Sequence, residues 1–100
     1  MATIRFQLKT TNVSSGVVTL PASFATVSTV SQDAPGDYTS TTAVAPVTYT
    51  VVSTTPTTTT EVQLTAADTL TFESSTTLNT TYGMLTVTGT PVGAGPNVGP

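Results

Sequence analysis

Hydrophobic and polar residues alternate along several short stretches of the chain. Between residues 3 and 10 the apolar residues fall at every second position, at Ile4, Phe6 and Leu8. Successive side chains of an extended strand point to opposite faces, so this alternation is typical of a strand with one buried face. Similar patterns predict further short strands, about seven in all, at 17–20, 22–30, 47–51, 61–65, 69–73 and 84–88.

Turn-forming and polar stretches separate the predicted strands. Residues 31–37 are expected to form a loop because they contain the turn dipeptide Pro35-Gly36. The threonine-rich stretch 54–60 is interpreted as a polar connection between strands, and residues 74–83 as a polar loop. Within 22–30 the alternation is poor, with Phe24 and then either Val27 or Val30 facing inward.

The composition supports a fold made of strands alone. The chain has 100 residues, of which 27 are Thr and 13 are Val. Both residue types are β-branched and favour the pleated strand over the helix. We therefore predict an all-β protein that forms a single small β-sandwich over residues 1–90. Its topology is predicted to be jelly-roll-like, with an Ig-like sandwich as the alternative.

Several classes of function are excluded by residues that the sequence lacks. Without Cys or His it has no disulfide, no Cys/His zinc site and no catalytic Ser–His or Cys–His pair, and we expect no metal and no cofactor. Two basic residues against five acidic ones argue against nucleic-acid binding. No apolar run approaches the ~18 residues of a membrane-spanning helix. No catalytic residues are predicted, and we expect the protein not to be an enzyme.

The acidic residues have both structural and chemical interpretations. Asp33 and Asp37 flank Ala-Pro-Gly, where turn capping is favoured over a weak Ca²⁺ site because two carboxylates are too few ligands. Glu61, Asp68 and Glu73 could supply a carboxylate pair for glycoside hydrolysis, but a small domain rarely forms the necessary cleft.

Candidate interface residues come from the first strand, two tyrosines and the C-terminal segment. Arg5 and Lys9 lie on the polar face of the first strand, where they either protect a sheet edge or contact an acidic partner. A tyrosine combines an apolar ring with a polar tip, and Tyr38 and Tyr82 lie beside predicted loops. Residues 91–100 contain three Pro and three Gly and form either a flexible tail or a docking arm, whose candidate contacts are Pro91, Val92 and Val98.

Two segments carry a family resemblance. Residues 62–72 read VQLTAADTLTF, and residues 83–87 read GMLTV after a polar loop. This succession resembles the later strands of jelly-roll domains in phage and virus surface proteins, except that Ala67 stands where a Gly usually precedes the Asp. The chain thus resembles a small capsid decoration (cement) protein or a minor structural protein of a phage.

The resemblance implies a function and a set of partners. It implies a non-enzymatic subunit that stabilises a shell by protein–protein contacts with the major capsid protein or other particle subunits. It also implies a homo-oligomer, for example a trimer, and location in a virion assembled in the host cytoplasm. The alternatives are a carbohydrate-binding or adhesin-like Ig module and a fragment of a larger surface protein.

Overall fold

The computed structural model describes residues 1–33, 47–80 and 83–92, and every regular element in these ranges is a β-strand. The predicted all-β fold is therefore confirmed. The strands are β1 (Ala2–Gln7), β2 (Val13–Ser14), β3 (Val17–Thr19), β4 (Phe24–Asp33), β5 (Val47–Val51), β6 (Glu61–Ala66), β7 (Thr69–Phe72) and β8 (Met84–Pro91). Among these residues there is no helix of the length and apolarity that crossing a membrane requires.

The eight strands form one mixed sheet in the order β1-β8-β4-β5-β6-β7-β3-β2. All neighbouring strands are antiparallel except β5 and β6, which run parallel, with Thr50 opposite Glu61 and Val51 opposite Val62. This short parallel pair joins a first half (β1, β8, β4 and β5) to a second half (β6, β7, β3 and β2). The sheet curls, so that both halves contribute to one core.

Both halves contribute side chains to a single hydrophobic core. Across the joint, the rings of Tyr49 and Phe72 meet edge to face, with their centroids 4.9 Å apart. Tyr49 is buried, whereas Val47 at the start of the same strand is 42% exposed. The buried core residues are Leu8, Val18, Leu20, Phe24, Val27, Val30, Tyr49, Val62, Leu70, Phe72, Leu85 and Val87.

The poor alternation of residues 22–30 has a structural cause in β4. The pairing of β4 with β8 shifts register twice, between Phe24 and Thr26 and between Val27 and Thr29. Each bulge inserts one extra residue, so the inward positions recur every third residue instead of every second. As a result Phe24, Val27 and Val30 are all buried. The core therefore contains both valines, where the sequence pattern predicted only one of the two.

The predicted loop at residues 31–37 is wrong for its first three residues. Ser31, Gln32 and Asp33 continue β4 and pair with Thr86, Leu85 and Met84 of β8. Their polar character suggested a loop, but Ser31 and Asp33 lie on the outer face and the side chain of buried Gln32 is hydrogen-bonded. The remainder of that loop lies outside the described residues.

Two other boundaries differ from the sequence prediction. Val13 and Ser14 form the two-residue strand β2, which lies between the predicted strands 3–10 and 17–20. The reversal into β3 uses positive φ at Ser15 (51°) and Gly16 (80°). At the other end, β8 continues past residue 88 to Pro91, so the first residue of the predicted tail belongs to the sheet.

Candidate interaction surface

The outer side of the first half carries a broad array of hydroxyl groups. One row across the strands is Thr3, Thr88 and Thr29; the next is Arg5, Thr86, Ser31 and Thr48. We call these seven residues the hydroxyl face. Neighbouring hydroxyls bond across the strands, as the Oγ1 atoms of Thr3 and Thr88 do at 2.9 Å. A hydroxyl both donates and accepts, so such a face can adapt to many polar partners.

The single cation of the hydroxyl face is paired. Arg5 Nη2 lies 2.7 Å from Asp33 Oδ2, and Arg5 Nε donates to the same oxygen at 3.3 Å. Their side chains are 54% and 31% exposed, so solvent screening limits the pair to about 0–1 kcal/mol. The pair nevertheless neutralises the face locally. Asp33, interpreted from the sequence as a turn-capping residue, is instead the partner of Arg5.

Lys9 lies in the turn after β1, apart from the hydroxyl face. Asn12 holds this turn: its Oδ1 accepts from the Lys9 N–H at 2.8 Å, and its Nδ2 donates to the Gln7 carbonyl at 3.1 Å. Beside the turn is an open groove of about 360 Å³ between β1 and the end of β3. Phe6, Leu20 and Pro21 give its apolar lining.

The carboxylates of the second half bind their own loops. Glu61 Oε1 accepts from the Thr57 N–H at 2.9 Å and from its hydroxyl at 3.1 Å, which lowers the pKa of Glu61. Glu73 accepts hydrogen bonds from the Ser75 hydroxyl, the Ser75 N–H and the Ser74 hydroxyl, and its pKa is lowered for that reason. Within the described ranges no three Asp or Glu residues gather as a metal site would require.

The Glu73 loop gives a pH-dependent prediction. Because the folded-state pKa lies below the ordinary 4.5, the stabilisation is present above 4.5 and is lost as the pH falls through the folded-state pKa. We expect Glu73→Gln to lower the melting temperature at pH 7 and to differ less from the parent chain in acid. Thermal unfolding followed by circular dichroism at several pH values measures this. Ser75→Ala is the control, because it removes a hydroxyl donor and keeps the carboxylate of Glu73. A difference in melting temperature between Glu73→Gln and the parent chain that does not change with pH would contradict the prediction.

Of the other interface residues predicted from the sequence, the structure describes Lys9, Pro91 and Val92. Pro91 ends β8 opposite Phe24, and Val92 is 44% exposed while its N–H donates to the Ser23 carbonyl at 3.2 Å. Tyr38, Tyr82 and Val98 lie outside the described residues. The structure therefore places Arg5 on the hydroxyl face and Lys9 at the groove.

Sequence reasoning missed a buried polar junction around Gln32. Its Nε2 donates to Tyr49 Oη at 2.8 Å and to the Thr77 carbonyl at 3.2 Å, and its Oε1 accepts from the Asn79 N–H at 2.7 Å. Burial raises the pKa of Tyr49. The available signal was the position of Gln32 two residues after Val30, on the inward face of an extended segment.

Comparison with protein-family models, with curated proteins and with solved structures finds no match to this chain. We therefore infer the function from the surfaces just described.

Proposed function

We propose that this chain is a non-enzymatic structural subunit of a virus or phage particle, which decorates the capsid and stabilises it through protein–protein contacts. Its partner in this proposal is the major capsid protein or another particle subunit. The observation that carries the proposal is the hydroxyl face, a surface of strand-borne Thr and Ser residues whose one cation is already paired with Asp33.

The free-energy cost of burying this surface in an interface is low. A permanent interface removes its polar groups from water, and an unpaired charge makes that removal expensive. Hydroxyl groups cost less, because each can exchange a water hydrogen bond for one to a partner. A face with five Thr, one Ser and a neutralised ion pair is thus suited to lasting contact with another protein.

Particle composition is the first test. Virus or phage particles purified from the source of this sequence should contain the chain in a fixed number of copies per shell, counted by quantitative mass spectrometry. Shells stripped of the chain should rebind it to the same stoichiometry and should lose thermal stability without it. Absence from the particles, or binding of the free chain to glycans but not to shells, would contradict the proposal.

A matched pair of variants tests the hydroxyl face itself. Thr29→Lys adds an unpaired charge to an exposed strand position of this face, whereas Thr65→Lys does the same on β6 of the second half. We expect Thr29→Lys to reduce binding to stripped shells at least tenfold, and Thr65→Lys to bind as the parent chain does. Equal loss in both variants would show that the hydroxyl face is not the contact.

A further inference from the structure

The outer edge of β1 offers backbone hydrogen-bonding groups. In the part of the chain that the structure describes, β1 pairs with β8 alone and ends the sheet. The Leu8 N–H donates to the Gly83 carbonyl at 2.9 Å, one step beyond the paired residues Gln7 and Met84. In an antiparallel pair, successive residues direct their backbone N–H and C=O groups alternately toward the partner strand and away from it. The even-numbered residues of β1 therefore direct these groups toward β8. The odd-numbered residues direct theirs away from it.

At the C-terminal end of β1, the outward-facing carbonyl is already hydrogen-bonded. The Gln7 carbonyl, which points away from β8, accepts the Asn12 side-chain amide at 3.1 Å. Nearer the start of β1, the outward-facing backbone groups belong to Thr3 and Arg5, two residues apart. Two N–H donors and two C=O acceptors at this spacing match one segment of another antiparallel strand.

We infer that β1 pairs with β1 of a second copy of this chain, antiparallel, about a two-fold axis at Ile4. Thr3 of each copy then lies opposite Arg5 of the other. Each such pair exchanges two backbone hydrogen bonds, so the two pairs together form four. The result is one continuous sheet through two copies, a two-fold dimer instead of the trimer that the family resemblance implied.

Charge and register favour this occupant and this alignment. Centring the axis on Arg5 would place two guanidinium groups opposite each other and would require the occupied Gln7 carbonyl. Centring it on Ile4 places Arg5 opposite an uncharged Thr3, with Asp33 still at 2.7 Å from the guanidinium. The pairing segment also ends before Lys9, so that this second cation does not enter the interface.

The same alignment covers partly exposed apolar residues. Ile4 and Phe6 are only partly buried where they pack against the core, because no described strand lies beyond β1. In the dimer Ile4 faces Ile4 of the second copy and Phe6 faces Ala2. Burial of this surface adds to the four backbone bonds, and the hydroxyl face continues across the axis. The inference stands independently of the proposed function.

A proline substitution tests the backbone pairing. Thr3→Pro removes an outward N–H while leaving the bonds from β1 to β8 in place, a position where an edge strand tolerates proline. Thr3→Ala is the matched control, because it also loses the hydroxyl contact to Thr88 but keeps the N–H. In sedimentation velocity from micromolar to millimolar concentration, we expect the parent chain and Thr3→Ala to dimerise. Thr3→Pro should dimerise at least tenfold more weakly.

Cysteine cross-linking tests the position of the axis, in a chain that has no other cysteine. Ile4 would lie opposite itself in a non-hydrogen-bonded pair, with Cα atoms about 4.5 Å apart, which a disulfide can bridge. Two copies of Thr3 would lie about 8 Å apart, beyond that range. We expect Ile4→Cys, but not Thr3→Cys, to form a covalent dimer on mild oxidation.

Several results would overturn the inference. One is a monomer over the whole concentration range, with no cross-linking of Ile4→Cys. Another is equal association of Thr3→Pro and Thr3→Ala, which would locate the contact elsewhere. A third is association that appears only after deletion of residues 93–100, because that segment would then cover the edge in the full chain.

Discussion

Replacement of Gly89 by alanine should destabilise the fold by about 3 kcal/mol, the upper part of the range for forcing atoms into a packed interior. A Cβ at Gly89 would stand 2.1 Å from the Thr26 carbonyl oxygen and 2.8 Å from the Val27 Cα. Both atoms belong to the backbone of β4, so the overlap cannot be relieved by rotating a side chain. Gly89 pairs with Val27 between the two bulges of β4.

Urea denaturation followed by circular dichroism measures this effect as a lower midpoint for Gly89→Ala. Thr90→Ala is the control, because the next residue is exposed and already has a Cβ, so its cost should stay within about 0.5 kcal/mol. Equal midpoints for Gly89→Ala and the parent chain would show that β4 can move away from β8. The bulged pairing of β4 with β8 would then not require a glycine at position 89.

Replacement of Gln32 by leucine should cost about 2–3 kcal/mol. Gln32 is 4% exposed and makes three hydrogen bonds, to Tyr49 Oη, the Thr77 carbonyl and the Asn79 N–H. Leucine fills a similar volume but leaves those groups without that partner, and each unsatisfied buried group costs about 1–3 kcal/mol. The hydrogen bond from Gln32 to the Thr77 carbonyl is only partly buried, so hydration of that carbonyl reduces the total.

Two measurements check the Gln32 prediction. Urea denaturation gives the stability change, and hydrogen exchange should show faster exchange of the Asn79 amide in Gln32→Leu. Tyr49→Phe is the matched control, since it removes one hydroxyl and leaves the bonds to Thr77 and Asn79; its cost should be about 1 kcal/mol. Unchanged exchange at Asn79 would mean that Gln32 does not hold the segment after β7.

Strands whose burial alternates along consecutive residues were predicted well, and the strand whose pattern depends on a distant partner was not. The strands around Ile4, Tyr49, Leu70 and Leu85 were predicted because their burial alternates locally, and a period of two is visible in consecutive residues. β4 was predicted less well, because its bulges change the period at Thr26 and Thr29. Those bulges depend on β8, which follows about fifty residues later in the chain.

The candidate surface was predictable only in part. The outward position of Arg5 follows from the alternation of β1, but its partner does not, since Asp33 lies 28 residues away on a strand separated from β1 by β8. For the same reason, Asp33 was interpreted as part of a loop. The rows of the hydroxyl face likewise need the register of three strand pairs, which no local pattern contains.

By itself, the sequence determined that this chain folds as strands with a threonine-rich exterior, because β-branched side chains and alternating polarity act on each segment locally. Only the tertiary structure decided which strands are neighbours, where the parallel joint of β5 and β6 lies, and which polar groups pair across the sheet. Those choices depend on contacts between distant segments, and their free energy is gained only once the core has formed around both halves.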